Sequence, residues 1–257
     1  MPHFKLTLEY DGARFAGWQS QRDRPDARSV QETLEAAIAR VTGHTVRVEG
    51  SGRTDAGVHA EGQVASVSID TDLAPEVLRR ALGGVLPRDL AVIEVAVALP
   101  GFHARHDARS KRYRYRVWSG PTPSPLRRGR SHWVRTPLDL DAMRAAAEHL
   151  VGSHDFASFQ AAGSNVRSTE RSLERVDIGG ESPGDVSFDF AGNGFLRHMV
   201  RNLVGTLLEV GTGRRDPDSL PALLAARDRA LAGPTAPARG LCLVAVGYED
   251  SASNSNP

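Results

Sequence analysis

The spacing of apolar residues changes between two and three-to-four along the first hundred residues, and this alternation restricts the fold more than any other feature. Phe4, Leu6 and Leu8 alternate with polar residues, which predicts a half-buried strand over 3–10. From Ser29, which opens a capping box, apolar residues follow helical spacing as far as Gly43. The same criteria then predict a strand, a strand, a helix and a strand: 44–50, 63–69, from Pro75, and 90–97. This order is a split β-α-β pattern.

The rest of the chain also mixes strands with helices. The patterns predict, in order, a strand over 112–118, a helix over 141–150, a strand over 186–190, a helix over 196–208, a helix from Asp216 and a strand over 240–249. Arg167, Arg171 and Arg175 recur at four-residue spacing, which fits either a helix or an edge strand. The fold class that follows is α+β.

These elements predict two split β-α-β (ferredoxin-like) lobes with mixed, mainly antiparallel sheets that form a central basic cleft. The N-terminal lobe covers residues 1–105 and the C-terminal lobe residues 106–250. Pro121, Pro123 and Pro125 interrupt regular structure and indicate a loop or a linker between the lobes. The polar residues 251–257 predict a disordered tail.

Composition favours a soluble globular protein in a reducing compartment. The chain has 257 residues, of which 40% are hydrophobic, enough for a sizeable core. No apolar run approaches the roughly 18 residues of a membrane span, and the N-terminus lacks the pattern of a secretory signal. The single cysteine, Cys242, excludes an intramolecular disulfide. We therefore expect a cytoplasmic protein that does not contact a membrane.

The positive charge of the chain is local. Residues 101–135 contain ten lysines and arginines against one acid, Asp107, and the remainder contains 22 basic and 30 acidic residues. Tyr113, Tyr115, Trp118 and Trp133 lie among these arginines, a mixture typical of surfaces that bind phosphates and stack on bases. A solvated basic surface is the alternative interpretation. The polar stretch from Arg14 to Arg28 fits either a loop that wraps RNA or a disordered connector.

The densest group of reactive residues lies between Ser51 and His59. Gly50, Gly52 and Gly57 bracket Asp55, and glycines allow a tight turn to which a large ligand can approach closely. We take Asp55 as the centre of the chemistry, because a rigid turn of this kind can present its side chain outward. The alternative is local, because an aspartate in a turn often accepts hydrogen bonds from its own backbone amides.

The string Gly52-Arg53-Thr54-Asp55-Ala56-Gly57-Val58-His59-Ala60 resembles the active-site loop of the tRNA pseudouridine synthase A family. Further blocks agree with this family: Tyr10-Asp11-Gly12, Gly17-Trp18-Gln19, Phe102-His103-Ala104-Arg105, Arg112-Tyr113-Arg114-Tyr115 and His198-Met199-Val200-Arg201-Asn202. The resemblance extends from about Phe4 to about Tyr248 and implies an RNA-modifying isomerase.

The resemblance also implies roles for single residues. Asp55 is the expected nucleophile, Arg53 displaces the target base, Tyr113 lies beside the nucleophile and Arg201 forms an ion pair with Asp55. The family isomerises uridines at positions 38 to 40 of tRNA, in the anticodon stem-loop, after flipping the nucleotide, and acts as a homodimer. Arg105, Arg112 and Arg114, together with Arg53 and Tyr113, are the candidate substrate-binding residues.

The chemistry of this isomerisation needs no redox change and no imported group, so we expect no cofactor. An ionised Asp55 can attack either C1′ of the ribose or C6 of the uracil, and the sequence leaves both routes open. Tyr113 can assist removal of the C5 proton, directly or through water.

Two alternative functions fit the same residues. One is an RNA-binding or chaperone module that performs no reaction. The other is a metal-dependent phosphohydrolase that uses Asp55, His59, His103 and Asp107. A metal interpretation of the neighbouring residues His103, Arg105, His106 and Asp107 is not favoured, because their spacing matches no zinc helix motif and no cysteine pair accompanies them, so we expect no metal.

Overall fold

The computed structural model describes residues 1–19, 27–163, 166–180 and 184–249. The predicted tail over 251–257 and the centre of the predicted loop over 14–28 lie outside the described residues.

The described residues form strands and helices in close alternation. The strands are β1 (His3–Tyr10), β2 (Glu49–Gly50), β3 (His59–Ser68), β4 (Leu90–Val97), β5 (Ala108–Ser119), β6 (His132–Val134), β7 (Gly152–Asp155), β8 (Glu170–Gly179), β9 (Asp185–Gly192) and β10 (Leu241–Tyr248). The α-helices are α1 (Val30–Thr42), α2 (Pro75–Val85), α3 (Leu140–Glu148), α4 (Met199–Gly211) and α5 (Leu220–Ala226). The predicted α+β class is therefore confirmed.

The chain divides into two compact units. The first comprises Met1–Ser110 and the chain from Leu243, and the second comprises Lys111–Cys242. The sequence analysis drew contiguous lobes, whereas the last strand belongs mostly to the first unit. The difference arises because β10 is a neighbour of β3 in the sheet, a pairing that local patterns do not reveal. The run from Pro121 to Pro125 lies inside the second unit, so it is a loop there and not a linker between lobes.

The first unit contains the predicted split β-α-β arrangement. Its strands follow the order β4-β1-β3-β10, with β2 also paired to β3. The pairs β1–β3, β1–β4 and β2–β3 are antiparallel. Leu6 and Leu8 of β1, Leu34 of α1 and Leu78 and Leu82 of α2 have no exposed surface and form its core.

Only Glu49 and Gly50 of the predicted strand over 44–50 are extended in a ladder. Val48, the residue just before Glu49, forms its backbone hydrogen bonds with side chains of α1. The N–H of Val48 donates to Glu35 Oε1 at 3.0 Å, and its carbonyl accepts from Gln31 Nε2 at 2.9 Å. Since these bonds already satisfy the backbone, no strand partner is needed at Val48.

The second unit carries an antiparallel sheet in the order β5-β9-β8-β7. The short strand β6 pairs with β5 in parallel, so the sheets are mixed and mainly antiparallel, as predicted. The segment with Arg171 and Arg175 is strand β8, so the helix is excluded; β8 pairs with both β7 and β9 and is therefore not the predicted edge strand. Most residues of α4 are buried, in agreement with its uninterrupted apolar pattern.

Among the described residues, no helix has both the length and the apolar character that crossing a membrane requires.

The start of α1 is capped by Ser29, whose hydroxyl accepts the Glu32 N–H at 3.2 Å and donates to the Glu32 carboxylate at 2.7 Å. We expect Ser29→Ala to lower the free energy of unfolding by about 1 kcal/mol, and Ser29→Gly to lower it by only a few tenths. Urea denaturation measures both variants. Equal stability of wild type and Ser29→Ala would contradict the capping role.

Candidate active site

Asp55 lies in the first unit, on the turn between β2 and β3. The carbonyl of the preceding residue, Thr54, accepts the N–H of Trp18 at 3.0 Å, and the carbonyl of Asp55 accepts the N–H of Val58 at 3.1 Å. Gly57 closes the turn with φ of 79°, a left-handed conformation that favours glycine. Asp55 is half-buried. Hydrogen bonds on both sides of it therefore set the direction in which its side chain leaves the turn.

Two segments from the start of the chain hold this turn. The hydroxyl of Tyr10 is 2.9 Å from that of Thr54, in a buried hydrogen bond. At Gly12, a Cβ atom would lie 2.0 Å from the carbonyl oxygen of Val58, and at Gly17 it would lie 2.7 Å from that of Thr54. These glycines therefore allow main chain to touch main chain at the turn.

The base of the turn rests on Trp18 and Gln63, both buried. The indole of Trp18 covers Gly50, where a Cβ atom would come within 2.4 Å of the ring. Gln63 accepts the hydroxyl of Ser51 at 2.6 Å and donates to the carbonyl of Gly52 at 3.0 Å. One glutamine amide thus fixes both residues that lead into the turn.

The segment from Phe102 to Asp107 forms a second turn in this unit. The Asp107 carboxylate accepts the N–H of His103 at 2.7 Å, and His103 Nδ1 accepts the N–H of Arg105 at 3.1 Å. Tyr248 donates to the carbonyl of Ala104 at 2.7 Å. Burial and the nearby Asp107 carboxylate raise the pKa of the Tyr248 hydroxyl, which keeps it protonated as a donor. This turn presents Arg105 at the surface.

A metal site is not assembled among the residues that the structure describes, since they contain no cluster of three or more His, Cys, Asp or Glu that could hold an ion. Nδ1 of each of two candidate histidines instead accepts a backbone hydrogen bond. His59 Nδ1 accepts the N–H of Gly12 at 3.1 Å, and His103 caps its own turn. The grouping of Asp55, His59, His103 and Asp107 that a phosphohydrolase requires is therefore not supported.

Tyr113 lies in the second unit, on β5 opposite Phe190 of β9. It is 9% exposed, and its ring meets Phe195 edge to face at 5.1 Å between centroids. Phe195 precedes α4 by four residues, so this contact joins Tyr113 to the segment that leads to Arg201.

The arginines that alternate with Tyr113 on β5 are not equivalent. Arg112 and Arg116 are exposed. Arg114 lies directly opposite Asp189, and its Nε contacts both carboxylate oxygens at 3.0 and 3.1 Å. The charge of the half-buried Arg114 is therefore balanced by Asp189, while Arg112 presents its charge at the surface.

Further members of the basic run also have structural partners. Arg127 lies over the ring of Trp118 at 4.5 Å and contacts Asp185 at 3.4 Å.

Tyr115 has no exposed surface, so the expectation that it stacks on a base is wrong.

Arg201 lies near the start of α4 and is half-buried. Its Nε donates to the carbonyl of Ala236 at 2.8 Å, and its own carbonyl accepts the N–H of Ala236 at 3.1 Å. Tyr115 donates to the carbonyl of the next residue, Pro237, at 2.8 Å. Burial raises the pKa of the Tyr115 hydroxyl, although the charges of Arg201 and Arg239 oppose this shift, and the hydroxyl remains a donor.

The described part of the stretch from Arg14 to Arg28 packs on the first unit. Arg28 lies over the ring of Phe15 at 4.2 Å and donates to Asp89 at 3.0 Å. The hydrogen bond from Arg28 lowers the pKa of the Asp89 carboxyl. Arg28 therefore anchors the end of this stretch. Residues 20–26, the centre of the segment that the sequence analysis interprets as an RNA-wrapping loop or a disordered connector, lie outside the described residues.

The structure places Arg53, Asp55 and Arg105 in the first unit, and Arg112, Tyr113, Arg114 and Arg201 in the second.

The sequence analysis missed the role of Gln63 in holding the Asp55 turn. A signal was present, because an amide beside the apolar residues of a buried strand must find hydrogen-bond partners.

Comparison with known proteins identifies the family. The family model described as tRNA pseudouridine synthase matches residues 7–107 and 146–249, more than half of the chain. The chain belongs to the tRNA pseudouridine synthase family. This confirms the resemblance drawn from the Asp55 turn.

Members of the tRNA pseudouridine synthase family resemble the chain over its whole length. A protein named tRNA pseudouridine synthase A from Myxococcus xanthus is 46% identical, over 100% of this chain and 96% of the relative. Another of the same name, from Moorella thermoacetica, is 48% identical over 96% of this chain and 100% of the relative. A solved structure titled "Crystal Structure of a Cbf5-Nop10-Gar1 Complex" covers 95% of this chain and 59% of that chain, with 12% identity and a TM-score of 0.38.

Gly17 and Gly43 make a matched pair that tests the Asp55 turn in this pseudouridine synthase. Both have positive φ, but a Cβ atom at Gly17 would meet Thr54, whereas one at Gly43 would meet nothing within 4 Å. We expect Gly43→Ala to cost about 1–2 kcal/mol of stability from backbone strain, and Gly17→Ala to cost more because its Cβ atom also clashes with Thr54. Only Gly17→Ala should also lower the rate of pseudouridine formation, because it displaces the backbone beside Asp55. Equal rates in the two variants would contradict this.

Proposed function

We propose that this protein isomerises uridine to pseudouridine at positions 38 to 40 of tRNA, in the anticodon stem-loop, with Asp55 as the nucleophile. Membership of the tRNA pseudouridine synthase family supports the reaction and the class of substrate. One observation carries the assignment of Asp55: the backbone around it is held by Tyr10, Gly17 and Trp18 from the start of the chain. Such convergence fixes the direction of a reacting group in advance.

The reaction breaks the N1–C1′ bond of uridine and joins C5 of the rotated uracil to C1′. C5 loses a proton and N1 gains one, so product and substrate are isomers. The Asp55 carboxylate attacks C1′ or C6 to form the covalent intermediate. We assign to each of two further residues the role that the family resemblance implies. Tyr113 assists removal of the C5 proton, and Arg201 stabilises the reacting carboxylate electrostatically.

A paired nucleotide must leave its stem before it reaches Asp55, at a cost of a few kcal/mol in stacking and pairing. Arg53 is exposed beside Asp55 and is suited to filling the vacated space. Arg105 and Arg112, also exposed, supply charge for phosphates, whereas Arg114 is paired with Asp189. We further propose that the protein acts in the cytoplasm as a homodimer, which sedimentation would test.

The central test is Asp55→Asn, assayed on an unmodified tRNA transcript in the presence of EDTA. We expect wild type to form pseudouridine and the variant to form none, with tRNA affinity changed by only a few-fold. The amide keeps the shape of the side chain but lacks the anionic nucleophile. Asp70→Asn, at an exposed position in the same unit, is the control and should leave the rate unchanged.

Three other outcomes of this test would contradict the proposal. Turnover by purified Asp55→Asn would exclude Asp55 as the nucleophile. Tight binding of tRNA by the wild type without turnover would favour the RNA-binding module. Loss of wild-type activity in EDTA would indicate a metal enzyme.

The unequal arginines of β5 predict unequal salt dependence. Arg112→Gln should weaken tRNA binding and reduce the slope of log affinity against log salt concentration by about 1. The double variant Arg114→Gln, Asp189→Asn removes an internal pair without changing net charge, so its slope should equal that of wild type. Filter binding over a range of salt concentrations measures both. A similar loss of slope in the two variants would show that Arg114 also contacts phosphate.

A further inference from the structure

A buried polar network surrounds Asn202, one residue after Arg201, and none of the steps described above uses it. Asn202 has no exposed surface. Its Oδ1 accepts the hydroxyl of Thr235 at 2.6 Å and the guanidinium of Arg229 at 3.0 Å, and its Nδ2 donates to the carbonyl of Phe159 at 2.8 Å. Both ends of the amide are therefore committed to segments outside α4.

One of these segments, residues 233–237, lies directly on the backbone of α4. At Gly205 a Cβ atom would lie 1.7 Å from the carbonyl oxygen of Pro234, and at Gly233 it would lie 2.7 Å from Cα of Thr206. The hydroxyl of Thr206 accepts the N–H of Gly233 at 2.9 Å. The absence of side chains at both glycines lets the two main chains touch, and polar bonds fix their register.

The same segment determines the direction of the Arg201 side chain. Arg201 Nε donates to the carbonyl of Ala236, which directly follows Thr235. A guanidinium is planar and rigid, so a hydrogen bond at Nε also fixes the directions of Nη1 and Nη2. A shift of the 233–237 segment would therefore turn the whole guanidinium.

We propose that Asn202 and Thr235 are positioning residues for pseudouridine formation: through the carbonyl of Ala236 they hold the Arg201 guanidinium in its working direction. This inference rests on the role proposed above for Arg201. Arg229 supports the same arrangement, because its guanidinium donates to Asn202 Oδ1 and lies 3.2 Å from the Thr235 hydroxyl. The side chains of Asn202 and Thr235 act only through Arg201 and are not catalytic themselves.

The test uses the full-length protein and the variants Thr235→Val and Thr235→Ser. Valine keeps the branched shape of threonine but lacks the hydroxyl, whereas serine keeps the hydroxyl. Hydrogen exchange of the Arg201 Nε–H, followed by NMR and assigned by its loss in Arg201→Lys, reports directly on the bond to Ala236. Single-turnover rate at saturating tRNA and tRNA affinity are measured on the same samples.

In Thr235→Val we expect faster exchange of the Arg201 Nε–H, a fall in single-turnover rate on the order of tenfold, and tRNA affinity close to that of wild type. Thr235→Ser should restore both exchange and rate. Ser158→Ala is the matched control, since the buried Ser158 hydroxyl donates to the carbonyl of Leu223 at 2.7 Å in the same unit. It should lower the melting temperature without changing exchange or rate.

Unchanged Nε–H exchange in Thr235→Val would overturn the inference, because the network would then not hold Arg201. Faster exchange with an unchanged rate would also overturn it, because the reaction would not need the fixed direction. An equal fall in rate in Ser158→Ala would also overturn it, because a loss of stability alone would then explain the slower reaction of Thr235→Val. Failure of the proposed function would appear separately, as turnover by Asp55→Asn.

Discussion

The hydrogen bond from the Trp18 N–H to the Thr54 carbonyl, with the close contact at Gly17, is the constraint on which the candidate site depends. It ties the residue before Asp55 to a segment that is itself tied to the start of α1, where the backbone N–H of Gln31 donates to the Trp18 carbonyl at 3.0 Å. A turn in isolation would sample many conformations. Here the sheet and a helix together hold it in one conformation, which is what the role proposed for the Asp55 carboxylate requires.

In the second unit, close main-chain contacts at glycines and a buried amide also hold a segment in one conformation. Glycines at 205 and 233 allow main chain to approach main chain, and a buried amide, Asn202, is satisfied at both ends. Gln63 has the corresponding role beneath the Asp55 turn. A buried amide without partners is costly, so each of these networks favours a single arrangement of the segments that it joins.

Local sequence patterns predicted most elements of the fold. The predicted strands over 3–10 and 90–97 and the helix from Ser29 to Gly43 agree with the structure, because their apolar spacing and caps are local properties. The prediction of a strand over 44–50 was wrong for most of that range, because side chains of α1 form hydrogen bonds with the backbone N–H and carbonyl of Val48. The pairing of Arg114 with Asp189 could not be predicted, because Asp189 lies 75 residues from Arg114 and only sheet register brings them together.

The sequence by itself determined the class of fold, the family and the candidate nucleophile, because apolar period and the Gly52–Ala60 string are contained in short stretches of chain. Only the tertiary structure decided what holds that string in place, which arginines keep their charge at the surface, and what fixes the Arg201 side chain. Each of these depends on contacts between residues far apart in sequence. The bond between Arg201 and Ala236, for example, spans 35 residues, and no local pattern specifies it.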